Sequence, residues 1–172
     1  MSNAKELSIS LRNHMDADGP LLIDILNSGK GLLLGRTGLS SAGSWAALRG
    51  EMSADQVIVA EKNLKSYLVG YAGITNHSVP ARRAELAIFC IGPDVSRSIP
   101  DRKTLDVALD WCFNSLGLNK VSIEALDGNG ILGILESAGF VAEGARKSQY
   151  QIGQNRVDSV LLSLVSSAWR LP

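Results

Sequence analysis

The chain has 172 residues, of which 45% are hydrophobic and 20% are charged, and its 17 Lys and Arg balance its 17 Asp and Glu. This length suits one core, so we expect a single domain over residues 1–172. A balanced charge provides no positive field for nucleic acid or an anionic membrane surface, and no stretch has the roughly 18 consecutive apolar residues of a membrane span. We therefore expect a soluble cytoplasmic protein that binds neither nucleic acid nor membranes.

The first half of the chain is predicted to form a strand, two helices and a meander. Polar and apolar residues alternate over 6–12, which predicts a strand with one buried face. Apolar residues at helical spacing then predict a helix from Leu21 to Ser28. A loop rich in Gly and Ser, at 30–44, flanks a short helix through Trp45, Leu48 and Met52. Three apolar runs separated by turn-like segments predict an antiparallel meander at 56–61, 66–75 and 83–92.

The second half is predicted to contain a crossover and a final hairpin. Apolar residues recur at i, i+3, i+4, i+7, i+8 and i+11 over residues 101–117, a series that fits only a helix. Asp101 can cap its start and Gly117 can end it. A strand at 120–126 and a short helix closed by Gly139 follow, and a strand, a helix and a strand in this order suggest a βαβ crossover. Two long strands joined through Gly-Gln-Asn predict a C-terminal hairpin.

The thiols and imidazoles indicate no metal or disulfide chemistry. Cys90 and Cys112 lie in apolar surroundings, so we expect both to be reduced core residues. His14 and His77 are isolated from each other and from cysteine, so neither supports a metal site.

The order of these elements resembles that of the GCN5-related N-acetyltransferases. The segment LESAGFVAEG at 135–144 is similar to that family's helix-to-strand junction, and VLLSLVSSAW at 160–169 adds a likeness to the branch that includes the ribosomal-protein N-terminal acetyltransferases. The resemblance covers residues 6–169. It implies an α/β (α+β) fold, with a mixed, mostly antiparallel twisted sheet of six or seven strands flanked by about four helices. It also implies transfer of an acetyl group from acetyl-CoA, or another acyl-CoA, to a primary amine of a small molecule or a protein N-terminus.

One segment departs from the family's pattern. The family usually has a glycine-containing turn that presents the N–H groups of a helix N-terminus to the cofactor's diphosphate. The matching stretch here, residues 96–101, contains no glycine. Cationic side chains would replace part of that cradle, and the alternative is a solvated charged turn. The cofactor contacts that the resemblance implies in this region are Arg97, Ser98, Arg102, Lys103 and Thr104.

Further cofactor contacts are implied on both sides of this helix. The pantetheine arm would run beside the backbone of the preceding strand at Phe89, Cys90 and Ile91. Asn129 matches, within one residue, a position at which the family often contacts the cofactor. The alternative is that residues 127–129 form only a turn.

A carboxylate is the predicted general base. An ammonium must lose a proton before it attacks a thioester, and a carboxylate can accept that proton. Glu85 interrupts an apolar run and is expected on the strand face of Ala87 and Phe89. Its strand matches the one that usually carries the base in the family. The alternative is an exposed ion pair of Glu85 with Arg82 or Arg83.

The general acid is not evident from the sequence. For the base, Glu124 is a second candidate that is expected to point inward. Where many family members have a tyrosine as general acid, this chain has Leu135, so the acid is either absent or supplied by Ser137 or Tyr150.

The acceptor is expected against the loop after the first helix and against the final hairpin, which form the walls of the cleft in the family. Their polar residues are uncharged or cationic more often than acidic, which favours a neutral or anionic amine-bearing acceptor over a polyamine. The candidate acceptor contacts are Arg36, Trp45, Arg146 and Tyr150.

The alternative function is a catalytically silent domain that keeps the fold for ligand sensing or protein association. The missing glycines favour this alternative, whereas Glu85 and the cations near the turn favour activity. The sequence allows a homodimer but does not assign an oligomeric state.

Overall fold

A computed structural model describes residues 8–25, 42–62, 65–90, 102–126, 131–152 and 154–169. Secondary-structure elements occupy most of these ranges. In chain order they are β1 (Ser8–Arg12), α1 (Asp18–Ile25), α2 (Ala42–Gly50), β2 (Ala54–Lys62), β3 (Lys65–Ser78), β4 (Arg83–Cys90), α3 (Arg102–Asp110), a π-helical segment (Trp111–Ser115), β5 (Lys120–Leu126), α4 (Ile131–Ser137), β6 (Val141–Ile152) and β7 (Asn155–Val165).

The strands form one mixed sheet of seven in the order β1-β2-β3-β4-β5-β7-β6. Neighbouring strands are antiparallel except for β4 and β5, which are parallel and connected through α3. This confirms the predicted meander, crossover and C-terminal hairpin. Four α-helices lie within the described ranges, as the resemblance implied.

The first two helices differ from their predicted limits. α1 begins at Asp18 rather than Leu21, because a proline in the first helical turn loses no intrahelical hydrogen bond, and Pro20 is therefore tolerated there. Leu22 is buried but Leu21 is 54% exposed, so the predicted apolar face is only partly correct. α2 ends at Gly50, before Met52. The predicted loop at 30–44 lies mostly outside the described residues.

The predicted helix at 101–117 changes its winding halfway along. α3 ends at Asp110, and the next five residues are π-helical. Trp111, Cys112 and Phe113 are all buried, although three consecutive residues do not share one face of a regular α-helix. Gly117, with a φ of 65°, ends the segment as predicted, whereas Asp101 lies outside the described residues.

The core is continuous through the sheet. Trp45 of α2 packs edge-on against Tyr71 of β3 with ring centroids 5.0 Å apart, and Tyr71 stacks on Phe89 of β4 at 5.5 Å. Both sets of alternating residues in β4 are buried beyond Glu85, so helices cover both faces of the central strands. Burial raises the pKa of the Cys112 thiol to about 12, which agrees with its prediction as an unreactive core residue. The side chain of Cys90 lies outside the described residues.

Candidate active site

The two parallel strands diverge at the centre of the sheet. β4 and β5 pair in only three rows, Arg83 with Lys120, Ala84 with Val121, and Glu85 with Ser122. Beyond these rows β4 remains paired with β3, and β5 remains paired with β7. The facing backbone edges of the two strands therefore have no strand partner within the described sheet, and an extended ligand can hydrogen-bond there as an added strand does.

A cavity of about 540 Å³ lies beside this divergence. Its apolar wall includes Leu48 of α2, Met52 just after α2, and Ala87 of β4. Its polar wall carries three carboxylates, and no lysine or arginine among the described residues lines it. These carboxylates are Glu51, Glu85 and Glu124.

Glu85 lies at the point where the strands separate. Its side chain is half-buried, and its Oε2 accepts a hydrogen bond of 2.8 Å from Asn76 Nδ2. Within the described residues neither Arg82 nor Arg83 forms an ion pair with it, and Arg82 Nε instead donates to the Gly117 carbonyl at 2.7 Å. The carboxylate therefore keeps free lone pairs toward the cavity, as a proton acceptor needs.

Glu124, the other inward candidate, is hydrogen-bonded on several sides. It accepts hydrogen bonds from Arg146 Nη1 at 2.8 Å and from the Ser159 hydroxyl. Burial and the charge of Glu124 raise the pKa of Tyr150, so this phenol stays protonated. With two donors Glu124 is held in place, whereas Glu85 has one donor and keeps more of its lone pairs free toward the cavity.

The predicted acceptor contacts divide into two groups. Tyr150 lines the cavity, and Arg146 adjoins it through its ion pair with Glu124. Trp45 is instead a core residue, 6% exposed, because its ring is covered by Tyr71 and His14. Arg36 lies outside the described residues. The acidic residues of this cavity come from neither the loop nor the hairpin, since Glu51 follows α2, Glu85 lies on β4 and Glu124 lies on β5. The expectation of uncharged or cationic residues in the loop and the hairpin stays a prediction.

The predicted cofactor residues on the sheet and helix are placed as follows. Phe89 buries its ring in the core, so only its backbone is available to a ligand at the divergence. Arg102 donates from Nε to Asp106 at 2.7 Å and from Nη1 to the Ser137 carbonyl, which ties α3 to α4. Thr104 is buried and Lys103 is exposed. Ile91, Arg97, Ser98 and Asn129, and the side chain of Cys90, lie outside the described residues.

Of the two candidate general acids, only Tyr150 is near Glu85. Ser137 Oγ donates to the Ile134 carbonyl of its own helix at 2.7 Å and does not line the cavity. Tyr150 lines the cavity together with Glu85 and Glu124.

Several cavity residues were not found from the sequence, among them Asn76, Glu51 and Met52. Asn76 was placed in a turn, but it belongs to β3 and has a φ of 49°, a conformation that asparagine tolerates better than most residues. Its partnership with Glu85 follows from the β3–β4 register, in which Thr75 lies opposite Glu85. Glu51 and Met52 reach the cavity only because α2 ends at Gly50.

Other kinds of site find little support in the described part of the chain. No group of three or more His, Cys, Asp or Glu side chains there is arranged to hold a metal ion. Of the helices in those ranges, none is long and apolar enough to cross a bilayer.

The whole arrangement is that of the N-acetyltransferase fold. The spermidine N-acetyltransferase from Vibrio cholerae, solved with CoA and spermine, matches it with a TM-score of 0.78 and 21% sequence identity, over 93% of this chain and 96% of that chain. The SpeG spermidine/spermine N-acetyltransferase of the same organism, solved with manganese ions, matches with a TM-score of 0.71 and 21% identity, over 92% and 93% of the two chains. No protein-family model and no curated protein matches the sequence. At these identities the likeness establishes the fold.

Proposed function

We propose that this protein is an acetyl-CoA-dependent N-acetyltransferase that acts on the primary amine of a small molecule. The observation that carries the proposal is the position of Glu85, a half-buried carboxylate at the row where β4 and β5 part, facing a cavity with an acidic wall. A solved neighbour of the same fold was crystallised with CoA and spermine, a cofactor and an amine of the kinds proposed here.

The acidic wall suits an amine that arrives as an ammonium ion. Glu51, Glu85 and Glu124 attract the cation into the cavity. Glu85 then accepts the proton, since the nitrogen needs a free lone pair to attack a carbonyl carbon. Tyr150, which lines the same cavity, keeps its proton because burial and the charge of Glu124 raise its pKa, and it would hydrogen-bond the acceptor or protonate a leaving thiolate.

The cofactor site is proposed at the diverging strands and at the start of α3. Acetyl-CoA supplies the acetyl group as a thioester, which is activated for attack by an amine. The unpaired backbone edge of β4 up to Cys90 would hold the pantetheine arm, and Lys103 provides positive charge near the start of α3. Arg102 is already engaged by Asp106, so its share in phosphate binding is smaller than the sequence suggested.

A small-molecule acceptor is favoured over a protein N-terminus, because the solved neighbour of the same fold was crystallised with spermine. The acidic lining of the cavity would suit the amine of a small molecule and that of a protein N-terminus equally.

The test of the function is cofactor binding followed by acetyl transfer. A ligand at 100 times its Kd raises the free energy of unfolding by about 2.7 kcal/mol, so millimolar acetyl-CoA should raise the Tm by several degrees. Release of CoA in the presence of a primary amine should follow. Absence of both a Tm shift and CoA release would favour the silent domain.

A further inference from the structure

A second cavity, of about 460 Å³, adjoins the cavity of about 540 Å³ beside Glu85. The larger one, in which the amine is proposed to bind, is called the acceptor cavity below. Asn76 and Glu85 line both, so the two cavities form one trough. The second cavity is walled at its far end by Arg83 and Lys120, with Glu143 beside them. The trough therefore changes along its length from an acidic end to a basic end.

The basic end has an excess of positive charge. Arg83 and Lys120 are opposite each other in the β4–β5 pair, an arrangement of like charges that is unfavourable unless an anion compensates it. Lys120 is paired with Glu143, which also accepts a hydrogen bond of 2.7 Å from Ser163. The Arg83 guanidinium forms no hydrogen bond or ion pair with any other described residue. Of the two carboxylates that line this cavity, Glu143 is paired with Lys120 and Glu85 lies at the junction with the first cavity, which leaves Arg83 without a counter-ion among the described residues.

The trough has a defined direction relative to the diverging strands. Glu85 lies in the last paired row and Arg83 two residues earlier, on the same face of β4, so their Cα atoms are about 6.8 Å apart. The strands part beyond Glu85, away from Arg83. A molecule with its amine at Glu85 would therefore extend away from the acyl donor, toward Arg83.

We propose that the acceptor is zwitterionic, with an anionic group such as a carboxylate that binds Arg83 while its amine lies at Glu85. This rests on the proposed function and names its substrate class. A guanidinium binds a carboxylate or phosphate through two parallel hydrogen bonds, which fits an exposed arginine that has no protein partner in the described structure. A polyamine would instead bring a second cation against Arg83, which costs affinity.

The experiment compares two acceptors of equal chain length, 5-aminopentanoate and 1,5-diaminopentane, with acetyl-CoA as donor. The wild-type protein should acetylate 5-aminopentanoate with a kcat/KM about tenfold higher than that for the diamine, since one charge-assisted contact differs. Arg83→Gln should raise the KM for 5-aminopentanoate about tenfold, leave its kcat within about twofold, and leave the KM for the diamine unchanged or lower.

Arg156→Gln is the matched control, because Arg156 is exposed, lies on β7 and borders neither cavity. It removes the same charge and should change neither KM. Thermal unfolding of both variants checks that they fold as the wild type does.

Three outcomes overturn the proposal in distinguishable ways. Acetylation of the diamine with equal or greater kcat/KM, unaffected by Arg83→Gln, rejects the zwitterionic acceptor and leaves the acetyltransferase function standing. Acetyl-CoA binding without acetylation of either probe also rejects it. Failure to bind acetyl-CoA at all removes the proposed function, and the inference with it.

Discussion

Glu85 and Ser122 are opposite each other in the last row that joins β4 to β5, and beyond that row the two strands separate. A carboxylate at this position can reach both the acceptor cavity and whatever ligand occupies the space between the strands. The position of Glu85, more than its residue type, is what distinguishes it from the other carboxylates of the sheet.

Replacing this carboxylate tests its role as the base. Glu85→Gln keeps the shape and the hydrogen bond to Asn76 through the amide oxygen but cannot accept a proton. We expect kcat to fall about 100-fold or more while the Kd for acetyl-CoA, measured by calorimetry, is unchanged. Glu61→Gln is the control, since Glu61 is exposed on β2 and outside the cavity. An unaltered kcat in Glu85→Gln would remove Glu85 from its role.

Gly73 controls the shape of the acceptor cavity. A Cβ at this position would lie 2.7 Å from Met52 Sδ and 3.1 Å from Tyr71 Cε1. Since Met52 is flexible and Tyr71 is fixed in the core, Gly73→Ala should push Met52 into the cavity and raise the acceptor KM several-fold, with a loss of about 1–3 kcal/mol in stability. Gly144→Ala, whose Cβ would meet no described residue within 4 Å, is the control for both effects. Equal acceptor KM values for the two variants would contradict this role of Met52.

Asp18 should make stability depend on acid pH. Two hydrogen bonds from Arg12 and one from the Met15 amide hold the pKa of Asp18 below its usual 3.8. Because the native pKa is lower than the unfolded one, the stabilisation is complete above the unfolded pKa and is lost as the pH falls through the native one.

Asp18→Asn keeps an acceptor for the amide but removes the charge. It should cost about 2 kcal/mol of unfolding free energy at pH 7 and much less near pH 3, as measured by urea unfolding at both values. Asp16→Asn, an exposed neighbour, is the control. A difference between wild type and Asp18→Asn that stays constant with pH would show that the ion pair is not the cause.

The glycine inside α4 is predicted to be replaceable. A Cβ on Gly133 would meet no atom of the described residues within 4 Å outside its own helix backbone. Gly133→Ala should therefore raise the free energy of unfolding by about 1 kcal/mol, the difference in helix propensity. Gly139→Ala should lower it, because Gly139 has a φ of 96°. A lower Tm for Gly133→Ala would indicate that the backbone there needs space.

Much of the fold followed from residue patterns because most of its elements are periodic. β5 was predicted at 120–126 and is found there, since buried and half-buried residues alternate over most of its length. The start of α1 was missed because Asp-Gly-Pro also favours a turn. The π-helical segment was missed because Cys112 and Phe113 continue the helical spacing of the apolar residues before them.

A site residue could be predicted only where its polarity differed from that of its neighbours in the sequence. Glu85 was identified as a charge within an apolar strand. Its partner Asn76 depends on the pairing of two strands, and the contact of Arg146 with Glu124 depends on the β6–β7 register, neither of which a local pattern reveals. The likeness to the ribosomal-protein branch and the contacts in residues 91–101 stay predictions.

A crystal structure of the protein with CoA is the most direct measurement of where the chemistry occurs. We expect the pantetheine arm to hydrogen-bond along β4 between the separated strands, with its sulfur directed to the cavity of Glu85. CoA bound elsewhere on the molecule, with the space between β4 and β5 closed by the protein itself, would contradict the proposed active site.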